Sequence, residues 1–304
     1  MLAGYFHARG DGVTVLARRP AKAAWRTTAW NGRDLDATWL REIDGADVVI
    51  NLAGRNVNCR YNEANRREIM DSRVQTTRLI GKAIAECSNP PALWMNASTA
   101  TIYRHALDRA MDEAMGEIGG REPDIPSTWK FSIDVATSWE QAFFASETPR
   151  TRKIALRSAM VMWPSGGGIF ATLLSLVRFG LGGSAASGDQ FVSWIHGDDF
   201  IRALEFLISH PEFEGIVNVS SPNPLPQRDF MRELRQAAGV PIGLPATKWM
   251  LEVGAFCLRT ETELILKSRR VVPGRLSQAG FTFHFSKWAD AAQDLVGKFH
   301  QPPV

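Results

Sequence analysis

The sequence predicts an α/β chain built on a doubly wound parallel sheet, followed by a small, mostly helical C-terminal subdomain. Three observations predict it. Short apolar runs recur at 13–16, 46–54, 91–99 and 153–163, of the kind that a strand covered on both faces needs. Helix-periodic stretches at about 62–86 and 131–145 lie between the later runs. After Pro164 the pattern shifts to glycine-rich loops and helices, with one further strand-like run at 216–220.

The chain starts like the second half of a βαβ unit. Leu2, Tyr5 and Phe6 have the spacing of one buried helical face, and Arg9-Gly10-Asp11-Gly12 supplies a cationic last turn and a glycine stop. Val13-Thr14-Val15-Leu16 then reads as a buried strand closing on Arg18-Arg19-Pro20. A first strand and a glycine-rich turn do not precede this helix in the sequence. The expectation is therefore a native protein longer at its N-terminus by about 15–20 residues, the usual size of the absent piece. That strand is central in the order 3-2-1-4-5-6. Without it, an unfilled slot is expected, with the strands at 13–17 and 46–53 on one side and the strand at 92–98 on the other.

The later elements follow in order. The helix from about Asn62 to Glu86 carries Ile69, Leu79, Ile80 and Ile84 on its apolar side, and a proline pair introduces the strand at 91–99. Residues 104–128 are polar and acidic and read as a long loop in which Asp108, Asp112 and Glu113 are solvated. Residues 165–170 are a turn entering a helix, and 191–208 read as strand, turn and helix with Asp198 or Asp199 as the N-cap. Residues 1–163 with about 188–220 are assigned to the sheet domain, and 164–187 with 221–304 to a substrate-side subdomain.

Composition narrows the class. Hydrophobic content of 45% and charged content of 22% over 304 residues are ordinary for a globular protein with a sizeable core. A formal charge of +3 without a dense basic run argues against nucleic acid. Cys59, Cys87 and Cys257 are too widely spaced for a disulfide framework or a metal knuckle, so no metal is expected. Arg9 interrupts the apolar stretch nearest the start, so no secretory signal is expected; no membrane span is expected either, and the cytoplasm is the default location.

Open α/β sheets bind ligands at the carboxyl ends of their strands. At the end of the strand near residue 17 stand Arg18 and Arg19, with no carboxylate to take a ribose 2′-hydroxyl. Two guanidiniums there suit the 2′-phosphate of NADP, although a solvated cationic turn has the same composition. Asn51-Leu52-Ala53-Gly54 places small residues where a cofactor ribose and adenine can approach the backbone, a pattern that strand-end packing also produces. Ser98 and Thr99 end the next strand, and Tyr103 follows shortly after.

These residues carry a resemblance. "NASTATIY" resembles the strand-end motif of extended short-chain dehydrogenases/reductases. The blocks "DVVINLAG", "DSRVQTTRLI", "SWEQA", "LRSAMVMWPSGGG", "RFGLGG", "GDQFVSWIHGDD", "GIVNVSSPNP" and "ELILKSRRVVPGRLSQAGFTF" resemble its atypical branch of epimerase family proteins, of the SDR family 39U1 type. The resemblance implies a Rossmann domain that binds NADP(H) and a small helical C-terminal domain. It implies that Thr99, with Ser98 beside it, hydrogen-bonds a substrate oxygen, and that Tyr103 supports the loop at the pocket.

The chain departs from the superfamily's Tyr-x-x-x-Lys pair, which supplies the proton donor. Aligned through "SWEQA", those positions hold Phe131 and Val135. The candidates left for proton transfer are Thr99, Ser98 and His196, with Tyr103, Trp194 and His196 as the substrate pocket. A structural His196, hydrogen-bonded to Asp198 or Asp199, is the favoured alternative for that residue. Arg73 stands where relatives place an Asn near the cofactor, and it could steady a pyrophosphate or a substrate anion. The sequence thus reads as an NADP(H)-binding oxidoreductase or epimerase acting on a small molecule, with a homodimer as the compatible assembly. A non-catalytic NADP sensor or scaffold is the rival, and a nucleotide-sugar enzyme is a weaker third.

Overall fold

The computed structural model describes residues 1–165, 167–247, 250 and 263–299. Cys257 lies outside them. Helix α1 (Leu2–Ala8) ends at Gly10, whose φ of 97° is the left-handed conformation that glycine adopts without strain. Strand β1 (Thr14–Ala17) pairs in parallel with β2 (Arg26–Ala29), and α2 (Ala37–Ile43) follows, capped by the Asp36 carboxylate on the Thr38 N–H. Then come β3 (Val48–Asn51), the long α3 (Glu63–Glu86), β4 (Leu93–Thr99) with a 3-10 turn at Ala100–Ile102, and α4 (Ser127–Phe144). Asn62 caps α3 by accepting the Asn65 N–H at 2.9 Å. Ile69, Leu79, Ile80 and Ile84 are all buried, as their spacing predicts.

The apolar run at 153–163 folds as two strands, β5 (Arg152–Ser158) and β6 (Met160–Met162). Helix α5 (Ile169–Arg178), the short strands β7 (Phe191–Val192) and β8 (Trp194–His196), α6 (Gly197–Ser209) and β9 (Gly215–Val219) complete the α/β part. Beyond it lie β10 (Leu225–Pro226), α7 (Gln227–Ala237), α8 (Glu263–Leu266), α9 (Gly274–Gln278) and α10 (Trp288–Phe299). No described helix is long and apolar enough to cross a membrane.

Four parallel strands pair in the order β3-β4-β5-β9, and β8 pairs in parallel with β6. Alternation along the strands fills both faces. Leu93, Met95, Ile154 and Leu156 point to a core shared with Phe200, Leu204 and Leu207 of α6. Trp94 and Ala155 point to the other face, against Trp39 and Ile43 of α2, Ile80 and Ile84 of α3, and Phe143 of α4. A third core joins Trp194 of β8 to Phe170 of α5, Phe230 of α7 and Trp288 of α10.

Three expectations are corrected here. Strand β2 and helix α2 were not read from the sequence, and they change the strand count. With β2 beside β1, the strand at 48–51 takes the next place and pairs directly with β4, so β4 keeps both neighbours. The discontinuity falls between β1 and β3 instead, where the described residues have no ladder joining the two-stranded and four-stranded parts. Leu16 of β1 and Val49 of β3 still share the core beneath α2 and α3. Amides of β1 and β3 that face this break should exchange with deuterium at least about tenfold faster than those of β4 and β5. Equal protection, measured residue by residue, would show a continuous ladder in solution.

The second correction concerns the N-cap of α6. It is His196, whose ring Nδ1 accepts the Asp198 N–H at 3.1 Å. Asp199 is fully buried and instead accepts the N–H groups of His284 and Phe285 at 2.9 and 2.8 Å. Glu113 is likewise not merely solvated. Its carboxylate accepts the N–H groups of Asn218 and Arg275, which ties the 104–128 loop to β9 and α9.

Candidate functional site

A cavity of about 230 Å³ opens at the carboxyl end of β4. Ser98 and Thr99 supply its floor, and Thr101 continues it into the 3-10 turn. Helix α4 contributes Phe131, Ser132, Val135 and Trp139, a spacing that keeps them on one helical face. Tyr61, Ile69 and Arg73 come from the approach to α3 and its first half, and Glu263 from α8. Phe131 and Val135 therefore face the cavity, where the alignment through "SWEQA" puts them. A larger depression of about 570 Å³ lies between α3 and α4, lined by Arg78, Lys82, Gln141 and Glu147. Neither Ser98 nor Thr99 at the carboxyl end of β4 lines it.

Buried hydrogen bonds hold the floor in place. The Asn51 amide donates to Asn96 Oδ1 at 2.6 Å, and its own oxygen accepts the Ala53 N–H at 3.0 Å, fixing the turn at 51–54. Trp139 Nε1 donates to the Thr77 hydroxyl at 2.9 Å, and that hydroxyl donates to Asn96 at 3.3 Å. Leu52 is exposed and Ala53 half-buried on this turn. Thr99 Oγ1 accepts the Thr101 N–H at 3.2 Å. The Ser98 hydroxyl donates to Glu140 at 2.6 Å, and Glu140 in turn holds Arg157 through two bonds of 2.8 and 2.7 Å. Burial alone would lower the Arg157 pKa, but the Glu140 contacts raise it above its ordinary value.

Arg73 is the cation of the site. Its guanidinium stacks over Trp139 at 5.2 Å and donates to the carbonyls of Ile69 and Arg55, both at 3.1 Å. A Cβ on Gly54 would stand 3.2 Å from Arg73 Cζ, so glycine is what lets the turn lie this close. Burial pushes the Arg73 pKa down, and no carboxylate ion pair to it is found among the described residues. At the end of β1, Arg18 and Arg19 are exposed.

The predicted substrate pocket of Tyr103, Trp194 and His196 is not formed. None of the three lines the cavity. The Tyr103 phenol donates to Asn218 Oδ1 at 2.9 Å beneath the Arg157 guanidinium, so it braces β5 and β9. Trp194 is fully buried against Trp288, and its ring N–H donates to the Asn223 carbonyl at 3.3 Å. His196 is fully buried, stacked on Phe285 at 4.0 Å, with Nε2 donating to Asp294 at 3.1 Å. The physical reason is that β8 pairs with β6 and feeds α6, so its side chains enter the core. Asp198 and Asp294 converge on His196 in a group that could hold a cation, but Lys298 Nζ already stands 3.0 and 2.9 Å from the two carboxylates.

Burial lowers the His196 pKa, the two carboxylates opposing it only in part. A depressed histidine stabilises the fold above its unfolded pKa, and the contribution is lost as the pH falls below about 6.5 toward the folded value. Urea midpoints of the wild type should accordingly drop more between pH 7.5 and 5 than those of His196→Gln. Parallel profiles would contradict the assignment of a neutral buried ring.

Sequence reasoning missed Tyr61, Ser132 and Glu263. The last belongs to a C-terminal block that grips the strand-end loop. Lys267 Nζ donates to the Thr101 carbonyl at 2.7 Å, and Arg269 Nε to the Thr101 hydroxyl at 3.1 Å. The Ser268 hydroxyl donates to the Ala106 carbonyl. Burial, with Arg269 alongside, pushes the Lys267 ammonium well below the usual lysine range.

A parallel α/β sheet with helices on both faces and a cavity at a strand end defines a Rossmann-like protein. Residues 246–295 match the family described as Domain of unknown function (DUF1731). Epimerase family protein SDR39U1 of Bos taurus is 31% identical over 296 residues, spanning 95% of this chain and 92% of the relative. The Mus musculus protein of that name is 30% identical over 297 residues, with the same coverage of 95% and 92%. The chain belongs to this SDR39U1 family of epimerase family proteins. The crystal structure of human epimerase family protein SDR39U1 (isoform 2) with NADPH superposes with a TM-score of 0.83 at 27% identity, covering 97% of this chain and 94% of that one. A UDP-N-acetylglucosamine 4-epimerase from Bacillus cereus shares the fold, with a TM-score of 0.70 at 13% identity, covering 100% of this chain and 93% of that one.

Proposed function

We propose that the protein binds NADP(H) across the ends of β1, β3 and β4 and acts as an oxidoreductase or epimerase on a small molecule held in the cavity. The observation that carries the reading is Arg73, a half-buried cation under Gly54 at the mouth of a cavity floored by the Thr99 hydroxyl. The human relative crystallised with NADPH supports it. The donor set fits such a group. Arg18 and Arg19 would hold the 2′-phosphate, the 51–54 turn would lie along the adenosine, and Arg73 would meet a phosphate. Bound there, NADP(H) supplies or accepts a hydride. Thr99 would orient the substrate oxygen, and the apolar faces of Phe131 and Val135 would keep water from the reacting carbon.

A charge-assisted contact to the 2′-phosphate contributes about 1.5–3 kcal/mol, or roughly ten- to a hundredfold in affinity. Calorimetric titration should therefore show NADPH binding that much more tightly than NADH. The double variant Arg18→Ala/Arg19→Ala should lose the preference while keeping NADH affinity. Equal affinity of the wild type for the two cofactors would overturn the reading. A non-catalytic NADP sensor is the second reading, and the apolar Phe131 and Val135 are the observation that favours it.

A further inference from the structure

We infer that Tyr61, Ser132 and Glu263 form a proton-transfer chain in this cavity, supplying the acid–base chemistry that Phe131 and Val135 cannot. The inference rests on the reading of the cavity as a hydride-transfer site. All three residues line it. Tyr61 packs edge-to-face on Phe131 at 5.2 Å, so its phenol stands beside the position where the superfamily carries its tyrosine. The phenol and the Ser132 hydroxyl face the same cavity, close enough for Ser132 to hold the phenol's pKa down. The Ser132 hydroxyl donates onward to Glu263 Oε2 at 2.5 Å, and Glu263 is only 1% exposed. Arg269 stands 3.9 Å from the other carboxylate oxygen and is itself anchored on Thr101. The order is phenol, hydroxyl, carboxylate, running from the cavity into the family's C-terminal domain.

The step balances in both directions. In oxidation, a carbinol carbon gives its hydride to NADP⁺ as its C–O bond becomes a carbonyl, and the hydroxyl proton passes to the Tyr61 oxygen. The Tyr61 proton moves to Ser132, and the Ser132 proton to Glu263, which becomes the carboxylic acid. Reduction returns the proton by the same route. Epimerisation uses both directions in turn, leaving the chain unchanged. Among the described residues, the charged and titratable groups facing Tyr61 are Glu263, Arg269, the Cys59 thiol and Arg73, with the Arg66 guanidinium 6.0 Å from its ring. Burial and the Glu263 charge push the Tyr61 phenol up to about 12, so it stands protonated as a donor at neutral pH.

The chain has three tyrosines, so ultraviolet titration of phenolate, with Tyr61→Phe as the blank, isolates Tyr61. Glu263→Gln should lower the Tyr61 pKa by removing a like charge, and Ser132→Ala should raise it by removing a hydrogen-bond partner. An unmoved phenol in both variants overturns the chain. The second readout is stopped-flow reduction of phenanthrenequinone by NADPH. Tyr61→Phe and Glu263→Gln should slow it by roughly 10²–10⁴-fold while NADPH affinity, measured by calorimetry, stays within about threefold of wild type. Variants as fast as wild type, or a wild type that leaves the quinone unreduced, overturn the inference. If NADPH itself fails to bind, the cofactor reading falls instead, and the phenol titration still reports on the three groups.

Discussion

Replacing Glu140 by alanine should destabilise the protein by about 3–5 kcal/mol, because it leaves the buried Arg157 guanidinium without its counter-ion. Glu140 and Arg157 are 8% and 5% exposed, and water cannot take over the lost bonds. The Ser98 hydroxyl and the Tyr103 ring lean on the same pair, so the damage reaches the cavity floor. The double variant Glu140→Leu/Arg157→Met removes both charges and should recover most of the stability, since apolar replacements of a whole buried pair are often nearly neutral. Urea denaturation of the two variants decides the matter. A single variant that loses less than about 1 kcal/mol would mean that the site relaxes or hydrates.

The second large effect belongs to Arg73. Arg73→Met keeps much of the aliphatic stem and removes the charge that stacks over Trp139, so the fold should persist. Affinity for NADPH should fall roughly ten- to a hundredfold, the usual size of a charge-assisted phosphate contact. The loss should shrink as salt rises, because screening weakens the wild-type contact. Unchanged affinity in calorimetry would reassign Arg73 to bracing the Arg55 and Ile69 carbonyls alone.

Much of the fold was legible because it depends on local pattern. The apolar runs at 46–54 and 91–99 became β3 and β4, and the periodicity of Ile69, Leu79, Ile80 and Ile84 marked the buried face of α3. Strand β2 was missed because Arg26-Thr27-Thr28-Ala29 has little apolar signal, only Thr28 being buried. Helix α2 did leave a trace, Asp36 as cap and Trp39 with Ile43 one turn apart, both buried.

The site was legible only in its strand-end part. Thr99 and Ser98 line the cavity, as a reading of strand ends can anticipate, and Arg73 of α3, singled out by comparison with relatives, lines it too. Trp194 and His196 were misplaced because a sequence shows a strand entering a helix but not which partner strand it joins. Pairing with β6 turned both into core. Glu263 lies 131 residues from Ser132 in the chain, and no local pattern announces such a contact. Its neighbours Lys267, Ser268 and Arg269 belong to a block that carried the family resemblance without showing what it touches, and all are buried against the loop that follows β4.

A crystal structure of the chain with NADPH tests most directly the claim that the strand-end cleft is the cofactor site. The 2′-phosphate is expected on Arg18 and Arg19, a phosphate at Arg73, and the nicotinamide in the cavity between Thr99 and Val135, facing Tyr61. A nicotinamide in the depression between α3 and α4, or a 2′-phosphate away from Arg18 and Arg19, would contradict it.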